Sequence, residues 1–494
     1  MRNSGTEGSA SLTNVDRTST RPRLLVAALS LVALTVAILQ TAVVPILGII
    51  AHQLNASSVA VSWAVTANLL AAAASTPLIG RLADLLDKKR VLLGVLIIVL
   101  IGSILAATTT SLALLIFARV LQGVSYALYP ICVAILRDEL PEGQVVGALA
   151  VLSGTLGFGG GAGLVVTGLL MDGVAGYHRV FWLATGFVVV VIAVAVAVIP
   201  SRAGGADGTI DWLGAAGLAA GLSAVLLTIT QGNSWGWSAP ATIASAAFGV
   251  IVLVAWWAWE RRRTHPLVST TMLTRRPVLL TNLATIFVGM GLYFGFLGLT
   301  QFVQIDRATA GYGFSASVLH ASVVYLLPGA LTGFVTATLS GRFIDRLGAR
   351  PVLVSGALTG VVGFLWLALA HSQPWQVIAA GIWTNAYISL AYGALPALVV
   401  SEVDGGETGV ATGVNAIART VGSAIAAAVV AVLLGRPLAT TGMPPEHAFV
   451  TIFIAGAVTA GLAMVLIAVS RGRQRDVVSV EAKVDSRAMN HEWG

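Results

Sequence analysis

The chain has 494 residues, of which 57% are apolar and only 10% are charged, whereas a soluble globular protein carries about 25% charged residues. This composition excludes an ordinary soluble domain and predicts a membrane protein, because a spanning helix needs about 20 mostly apolar residues. The net charge of +7 does not predict a nucleic-acid partner, because the basic residues follow a membrane topology instead.

Apolar windows separated by charged or Gly/Pro breaks predict an all-α membrane protein with fourteen spans. The windows are residues 24–51, 59–79, 91–109, 112–136, 146–170, 180–200, 212–231, 241–259, 277–303, 318–339, 351–370, 377–400, 410–434 and 449–470. They divide the chain into a tail, a six-helix bundle, a linker with two extra spans, a second six-helix bundle and a second tail, at residues 1–23, 24–200, 201–276, 277–470 and 471–494.

The basic residues predict an orientation. If both termini are cytoplasmic and the spans alternate, 23 of the 28 Lys and Arg residues fall in cytoplasmic segments, which is the positive-inside distribution. Arg greatly outnumbers Lys, and Ala, Val and Gly are abundant, which indicates a GC-rich bacterial genome. We therefore predict a multi-pass protein of the bacterial inner membrane with both termini in the cytoplasm.

Residue types that would support enzyme chemistry are sparse. Cys132 is the only cysteine, which excludes a disulfide framework and a thiolate metal cluster. The sequence has no phosphate-binding Gly-x-x-x-x-Gly-Lys loop, no His-Glu-x-x-His motif and no Gly-x-Ser-x-Gly elbow. We predict no enzyme activity, no cofactor and no metal. A sensor that binds a ligand without transporting it is an alternative.

One loop sequence occurs twice, each time after the second span of a bundle, with equivalent positions 261 residues apart. Internal repeats of this kind are a known plan of transporters, with the binding site at the interface of the halves. The residues that we single out in the first copy are Gly80, Asp84 and Arg90, and those in the second copy are Gly341, Asp345 and Arg350.

The repeated Gly-Arg-x-x-Asp loop resembles motif A of the major facilitator superfamily, and the fourteen spans resemble its drug:proton antiporter branch. The resemblance implies two bundles that rock around a central cleft and an inner gate formed by these loops. An Asp in such a loop can accept hydrogen bonds from the free amides of a helix N-terminus. The alternative is that the loops are only solvated basic anchors. Asp87 stands where the family usually has Gly.

Arg119 begins a segment of the fourth span that resembles motif B of the family, whose Arg and Gln face the cavity. Arg119, Gln122, Tyr126 and Tyr129 are spaced along one helical face. An Arg inside a span costs at least about 2.5 kcal/mol on insertion scales, so a partner or a wet cavity is expected. The alternative is an Arg that ties helices together through backbone carbonyls.

The fifth span is rich in glycine and resembles motif C, the antiporter motif, with Gly160 in place of the family's usual proline. Small residues let helices approach closely, and two Gly-x-x-x-Gly pairs share this span. We predict a helix-packing role for these four residues, Gly157, Gly159, Gly161 and Gly163.

Polar residues on the spans that line the cleft by family analogy form a predicted substrate cavity. For each of them a helix-packing hydrogen bond is the alternative role. The predicted cavity consists of Gln40, Thr41, Asn68, Arg119, Gln122, Tyr126, Tyr293, Gln301, Tyr325, Asn385, Tyr392, Asn415 and Arg419.

No Asp or Glu lies near the middle of a predicted span, and Leu39 stands where related antiporters carry an Asp. Proton coupling therefore has candidates only near the span ends and at the inner gate, namely Asp172, Asp306, His52, His320 and Asp84. Two intramembrane Arg residues and no carboxylate favour neutral or anionic substrates over cations.

The sequence thus predicts a secondary transporter that exports hydrophobic or amphipathic small molecules, as in drug efflux, by alternating access and proton antiport. The alternative is a dedicated exporter of one metabolite, lipid or antibiotic with weak or no proton coupling. The expected partners are membrane lipid, an amphipathic small molecule and protons, and the chain is expected to be a monomer.

Overall fold

The computed structural model describes residues 22–171, 176–202, 211–263, 266–403, 407–435 and 442–470. All regular elements within these ranges are helical. Fourteen of the helices are long: α1 Pro22–Thr41, α2 Ser58–Leu85, α3 Lys88–Thr108, α4 Leu112–Glu139, α5 Glu142–Leu170, α6 His178–Val198, α7 Trp212–Trp235, α8 Pro240–Glu260, α9 Arg276–Gln304, α10 Ala321–Leu347, α11 Ala349–Leu369, α12 Pro374–Glu402, α13 Thr408–Leu434 and α14 Glu446–Val469.

Thirteen of these helices are long and apolar enough to cross a membrane, judged over the described ranges. The remaining one is α12, which has 29 residues and carries polar side chains such as Asn385, Tyr387 and Tyr392 along its length. The all-α architecture is confirmed, whereas a count of fourteen spans stays a prediction. The first helix ends at Thr41, ten residues earlier than predicted, because the apolar segment after it breaks into two short helices around Pro45.

The long helices form two bundles. In the first bundle, α1 packs on α5 and α6, while α4 packs on α2 and α3. In the second, α11 packs on α12 and α14, and α9 packs on α13 and α14. Large apolar side chains on the outer faces, such as Ile101 and Val254, are more than half exposed, which is typical of a surface that faces lipid.

The bundles meet along two seams. One is α5 against α10, with α12 also contacting α5, and the other is α2 against α13, with α4 also contacting α13. Along the first seam the helices run antiparallel, and a Cβ at Gly154 or Gly161 would lie 2.4 Å from the Cβ of Ala337 or Ala330. Only glycine allows this approach without displacing a neighbour. The seam continues at both ends, where Gly168 meets Leu319 and Gly147 meets Gly341.

The two helices between the bundles form a hairpin, α7 and α8, that packs across the second seam. Helix α7 lies against both α2 and α13, whereas α8 packs on α7. Gln231 Nε2 donates to Thr66 Oγ1 at 3.1 Å, and Leu226 is buried against Ala73 and Ala424. The hairpin therefore contacts both bundles at once.

Candidate functional site

A cavity lies between the two bundles. Helices α1 and α5 line it from the first bundle, and α9 to α13 line it from the second. Aromatic and small residues such as Phe296, Phe364 and Gly160 cover much of its wall, and none of the described lining residues is acidic. A mostly apolar, concave site with a few convergent polar groups is typical of small-molecule binding.

Six of the thirteen predicted cavity residues line this space. Gln40 Nε2 donates to the Tyr293 hydroxyl at 3.1 Å, which joins the two bundles across the cavity. The six residues are Gln40, Thr41, Tyr293, Asn385, Tyr392 and Arg419.

Arg419 is the only cation among the described lining residues. Its Cζ lies 4.9 Å from the ring centroid of Tyr392 and 5.5 Å from that of Tyr129, which are stabilising cation–π distances. Its guanidinium forms no ion pair with the described residues. Tyr126 is buried and does not line the cavity. An aromatic-walled positive charge therefore faces the cavity.

Arg119 lies away from the cavity, buried inside the first bundle with 1% exposure. Its guanidinium donates to the carbonyl oxygens of Ala64 at 3.2 Å and Leu39 at 3.3 Å, and to Gln122 Oε1 at 2.6 Å. In this conformation Arg119 ties α1, α2 and α4 together. This placement matches the alternative in which the arginine joins helices through carbonyls.

Two further predicted cavity residues complete the buried network around Arg119. Asn68 Nδ2 donates to the Arg119 carbonyl at 3.0 Å, and Gln122 Nε2 donates to Ser103 Oγ at 3.0 Å. Both side chains are satisfied within the first bundle, so neither one points at the cavity.

Three predicted cavity residues lie elsewhere in the second bundle. Asn415 Nδ2 donates to Asn282 and Thr285 and joins α13 to α9. Tyr325 is buried, with its ring 5.4 Å from that of Phe314. Gln301 is exposed. Their helices lie in the second bundle, and each of the three side chains leaves its helix on a face away from the cavity.

Several lining residues were missed, of which Ser389 and Thr384 are the polar ones. Ser389 follows Asn385 by four residues and precedes Tyr392 by three, so it lies on the same helical face. Extending the polar stripe of α12 would have found it.

The four glycines predicted to pack helices face three directions. A Cβ at Gly159 or Gly163 would meet α1, and one at Gly161 would meet α10. Gly157 opens on the cavity, where a Cβ would lie 3.5 Å from Ser389 Oγ. The spacing predicted one role for all four glycines, whereas the direction that each one faces depends on neighbouring helices that the spacing does not reveal.

The first copy of the repeated loop joins the two bundles. Asp84 has 5% exposure, and its Oδ2 accepts a hydrogen bond from the Val410 amide at 3.3 Å. Val410 belongs to the first turn of α13, where backbone amides lack a partner within the helix. Gly80 lies so close to α13 that a Cβ there would come within 3.1 Å of the Gly409 carbonyl oxygen.

A second polar contact lies at the same end of the molecule. Arg137 in α4 donates to the Thr408 hydroxyl and, at 3.4 Å, to the Val403 carbonyl. This residue was not among the predicted gate residues. We refer to the end of the molecule that carries the α2–α3 and α10–α11 loops as the basic end.

The second copy of the loop differs from the first. Asp345 is exposed, and Gly341 packs on Gly147 of α5. Position 147 is the repeat equivalent of Thr408, the first residue of α13, but α5 already begins at Glu142. The amides at that level of α5 are therefore inside the helix and cannot bind a carboxylate.

The basic residues that close each loop form local ion pairs. Arg90 Nε lies 3.6 Å from Asp87, and Arg350 lies 3.5 Å from Glu402. Partial burial raises the pKa of Asp87, but hydrogen bonds from Ser201 and the Lys89 amide outweigh it, so the pKa is lowered overall. Asp87 therefore caps α3 as an ionised group.

Among the candidates for proton coupling, Asp306 and His320 lie outside the central cavity. Asp172 lies outside the residues that the structure describes. Asp306 is half-buried, and hydrogen bonds from Thr309 and Ser315 hold its pKa below its usual value, so it stays ionised near neutral pH. His320 is exposed, with its ring 5.9 Å from that of Tyr325.

A sequence model of the Major Facilitator Superfamily matches residues 29–212 and 212–427. The chain belongs to this superfamily and is a multi-pass membrane transporter rather than an enzyme. The human organic anion transporter MFSD10 has the same fold, with a TM-score of 0.63 and 16% identity, over 91% of this chain and 100% of that one.

Two curated relatives have different substrates. A uridine/deoxyuridine transporter of Lactococcus lactis is 28% identical over 405 residues, which are 75% of this chain and 79% of that protein. The tetracenomycin C resistance and export protein of Streptomyces glaucescens is 28% identical over 400 residues, which are 78% and 71% of the two chains.

Proposed function

We propose that the chain exports neutral or anionic amphipathic small molecules by alternating access, as a drug-efflux transporter of the cytoplasmic membrane. The observation that carries this proposal is the central cavity, which combines an apolar and aromatic wall with one cation, Arg419, and no acidic residue among the described lining residues. A cationic substrate would be repelled there, whereas an anion could replace water around the guanidinium.

The direction of transport and the orientation are part of the same proposal. The basic end carries loops rich in Lys and Arg, which the positive-inside rule assigns to the cytoplasm. That end is closed by the contacts of Asp84 and Arg137 with the segment around α13. Export is supported by the similarity to the tetracenomycin C export protein.

Replacing Arg419 with glutamine should lower the efflux of an anionic dye by about tenfold or more, because a charged hydrogen bond contributes about 1.5–3 kcal/mol. A neutral dye of the same size should lose much less. The measurement is initial efflux from cells that express equal amounts of wild type and variant. Gln301→Ala, at an exposed position on α9, is the matched control. Transport of cationic dyes alone would overturn the proposal.

Proton coupling is the second part of the proposal, and Asp84 is its best-placed carboxylate. It is a buried acid at the contact between bundles, so protonation would remove the charge that binds the first turn of α13. Collapse of the proton gradient should stop the efflux of the anionic dye while the cells still hold ATP. Efflux that continues at the same rate would support the alternative of a dedicated exporter without proton coupling.

A carrier for a neutral polar solute such as a nucleoside is the competing function. Gln40, Asn385 and Ser389 supply hydrogen-bonding groups to the cavity, and the relative from Lactococcus lactis transports uridine and deoxyuridine. Radiolabelled uridine should then enter proteoliposomes, and an excess of unlabelled uridine should reduce this uptake. Saturable uridine flux together with no dye flux would replace the efflux proposal.

A further inference from the structure

We propose that a groove on the outer side of the α5–α10 seam binds one anionic phospholipid from the leaflet at the basic end, the cytoplasmic leaflet under the positive-inside rule. This groove is separate from the central cavity. It is formed by α1, the start of α5 and the second half of α10, so both bundles contribute to it.

The length of the groove matches one leaflet. Its lining on α1 extends from Arg23 to Leu34, a helical rise of about 16 Å. Half of a typical hydrocarbon core is about 15 Å. On α10 the groove includes Phe334, which is 37% exposed and lies beside the exposed Val335. The groove therefore opens toward the membrane rather than toward water.

The charges in the groove match an anionic headgroup. Arg23 and Arg342 line its basic end, and no acidic residue is among its described lining residues. Neither guanidinium forms an ion pair within the described ranges. Basic side chains at this depth attract anionic lipid headgroups, and Arg can bind a phosphate through two parallel hydrogen bonds.

A buried polar group inside the groove lacks a partner. Ser30 is 8% exposed, lines the groove and has no hydrogen-bond partner for its hydroxyl among the described residues. It follows Arg23 by two turns of α1, about 10 Å deeper. A hydroxyl at that level can donate to an ester carbonyl below a phosphate, whereas a pure hydrocarbon would leave it unsatisfied.

Gly147 provides a way to fill the groove without disturbing the fold. It lines the groove, and a Cβ built there meets no atom within 4 Å. Gly147→Leu should therefore occupy the space of an acyl chain. Gly143→Leu is the matched control, because Gly143 lies one turn earlier in α5, also has open space at its Cβ and does not line the groove.

The test is native mass spectrometry of the purified full chain in detergent, titrated with phosphatidylglycerol or with phosphatidylcholine. Wild type should retain one phosphatidylglycerol more tightly than phosphatidylcholine. Gly147→Leu should abolish this binding, and the double variant Arg23→Gln, Arg342→Gln should weaken it by about tenfold or more. Gly143→Leu and Arg346→Gln, an exposed arginine of α10 outside the groove, should bind as wild type does.

Three outcomes would overturn the proposal. The first is equal retention of both lipids by wild type. The second is unchanged phosphatidylglycerol binding in Gly147→Leu, which would place the lipid elsewhere. The third is loss of binding in the two control variants to the same extent as in the groove variants. A thermal melt of each variant separates loss of binding from loss of folding.

Discussion

Arg119→Ala is expected to destabilise the folded chain by about 3 kcal/mol or more, the largest effect of any single substitution that we predict. The side chain makes three buried hydrogen bonds, and its removal leaves the carbonyls of Leu39 and Ala64 without that donor. A hydrogen bond to a charged group contributes about 1.5–3 kcal/mol, and the empty volume adds to the loss. The apparent melting temperature in detergent, measured by loss of soluble monomer on heating, should fall by several degrees.

Arg419→Ala is the matched control for this prediction, because Arg419 is also an arginine within a span. Its guanidinium contacts the rings of Tyr129 and Tyr392 instead of a set of carbonyls. We expect the melting temperature of this variant to stay close to that of wild type, while anionic substrate transport is lost. An equal fall in melting temperature for both variants would refute the distinction between a structural and a substrate-binding arginine.

In the variant Asp84→Asn, we expect the equilibrium between a closed and an open basic end to shift toward the open form by about tenfold. The Val410 amide would keep an acceptor but lose a charged one, and hydrogen bonds to charged groups are stronger by about 1–1.5 kcal/mol. The change can be followed with a cysteine at Thr76, which is buried at the α2–α13 seam close to Gly413. Maleimide labelling from the basic end should become about tenfold faster in the variant.

The chain offers two favourable conditions for this experiment. Cys132 is the only cysteine and is buried, so the background of labelling is low. Asp345→Asn is the control, since Asp345 is the repeat equivalent of Asp84 but is exposed. We expect its labelling rate to equal that of the parent. Equal acceleration by both substitutions would mean that the carboxylate of Asp84 has no special part in closing the molecule.

The helices could be predicted from the sequence because long apolar segments report burial in membrane or protein directly. The ninth window, 277–303, differs from α9 by one residue at each end. The first window overran because apolar character continues through residues 42–51, whereas the helix breaks near Pro45. Hydropathy indicates which environment a side chain prefers, but it does not indicate whether the backbone remains a single straight helix.

The candidate site was harder to predict because side-chain direction depends on neighbours that the sequence does not reveal. Arg119 and Arg419 look equivalent as lone cations in apolar spans. Arg119 meets carbonyls of two adjacent helices, whereas Arg419 emerges beside two tyrosines at the cavity wall. Likewise, Asp84 and Asp345 are identical in motif but differ in environment, because α13 begins at the level of the loop and α5 begins more than one turn earlier.

The glycine seam between α5 and α10 has a mechanical consequence. Residues seven apart, Gly147, Gly154, Gly161 and Gly168, present a nearly smooth helix surface to the partner helix, with few side chains to interlock. Because no side chain projects from these glycines between the two helices, the crossing angle can change without side chains having to pass one another. The α2–α13 seam, in contrast, is held by polar contacts that have to break before the two helices separate. We therefore expect the bundles to separate at the α2–α13 seam while they stay in contact at the α5–α10 seam.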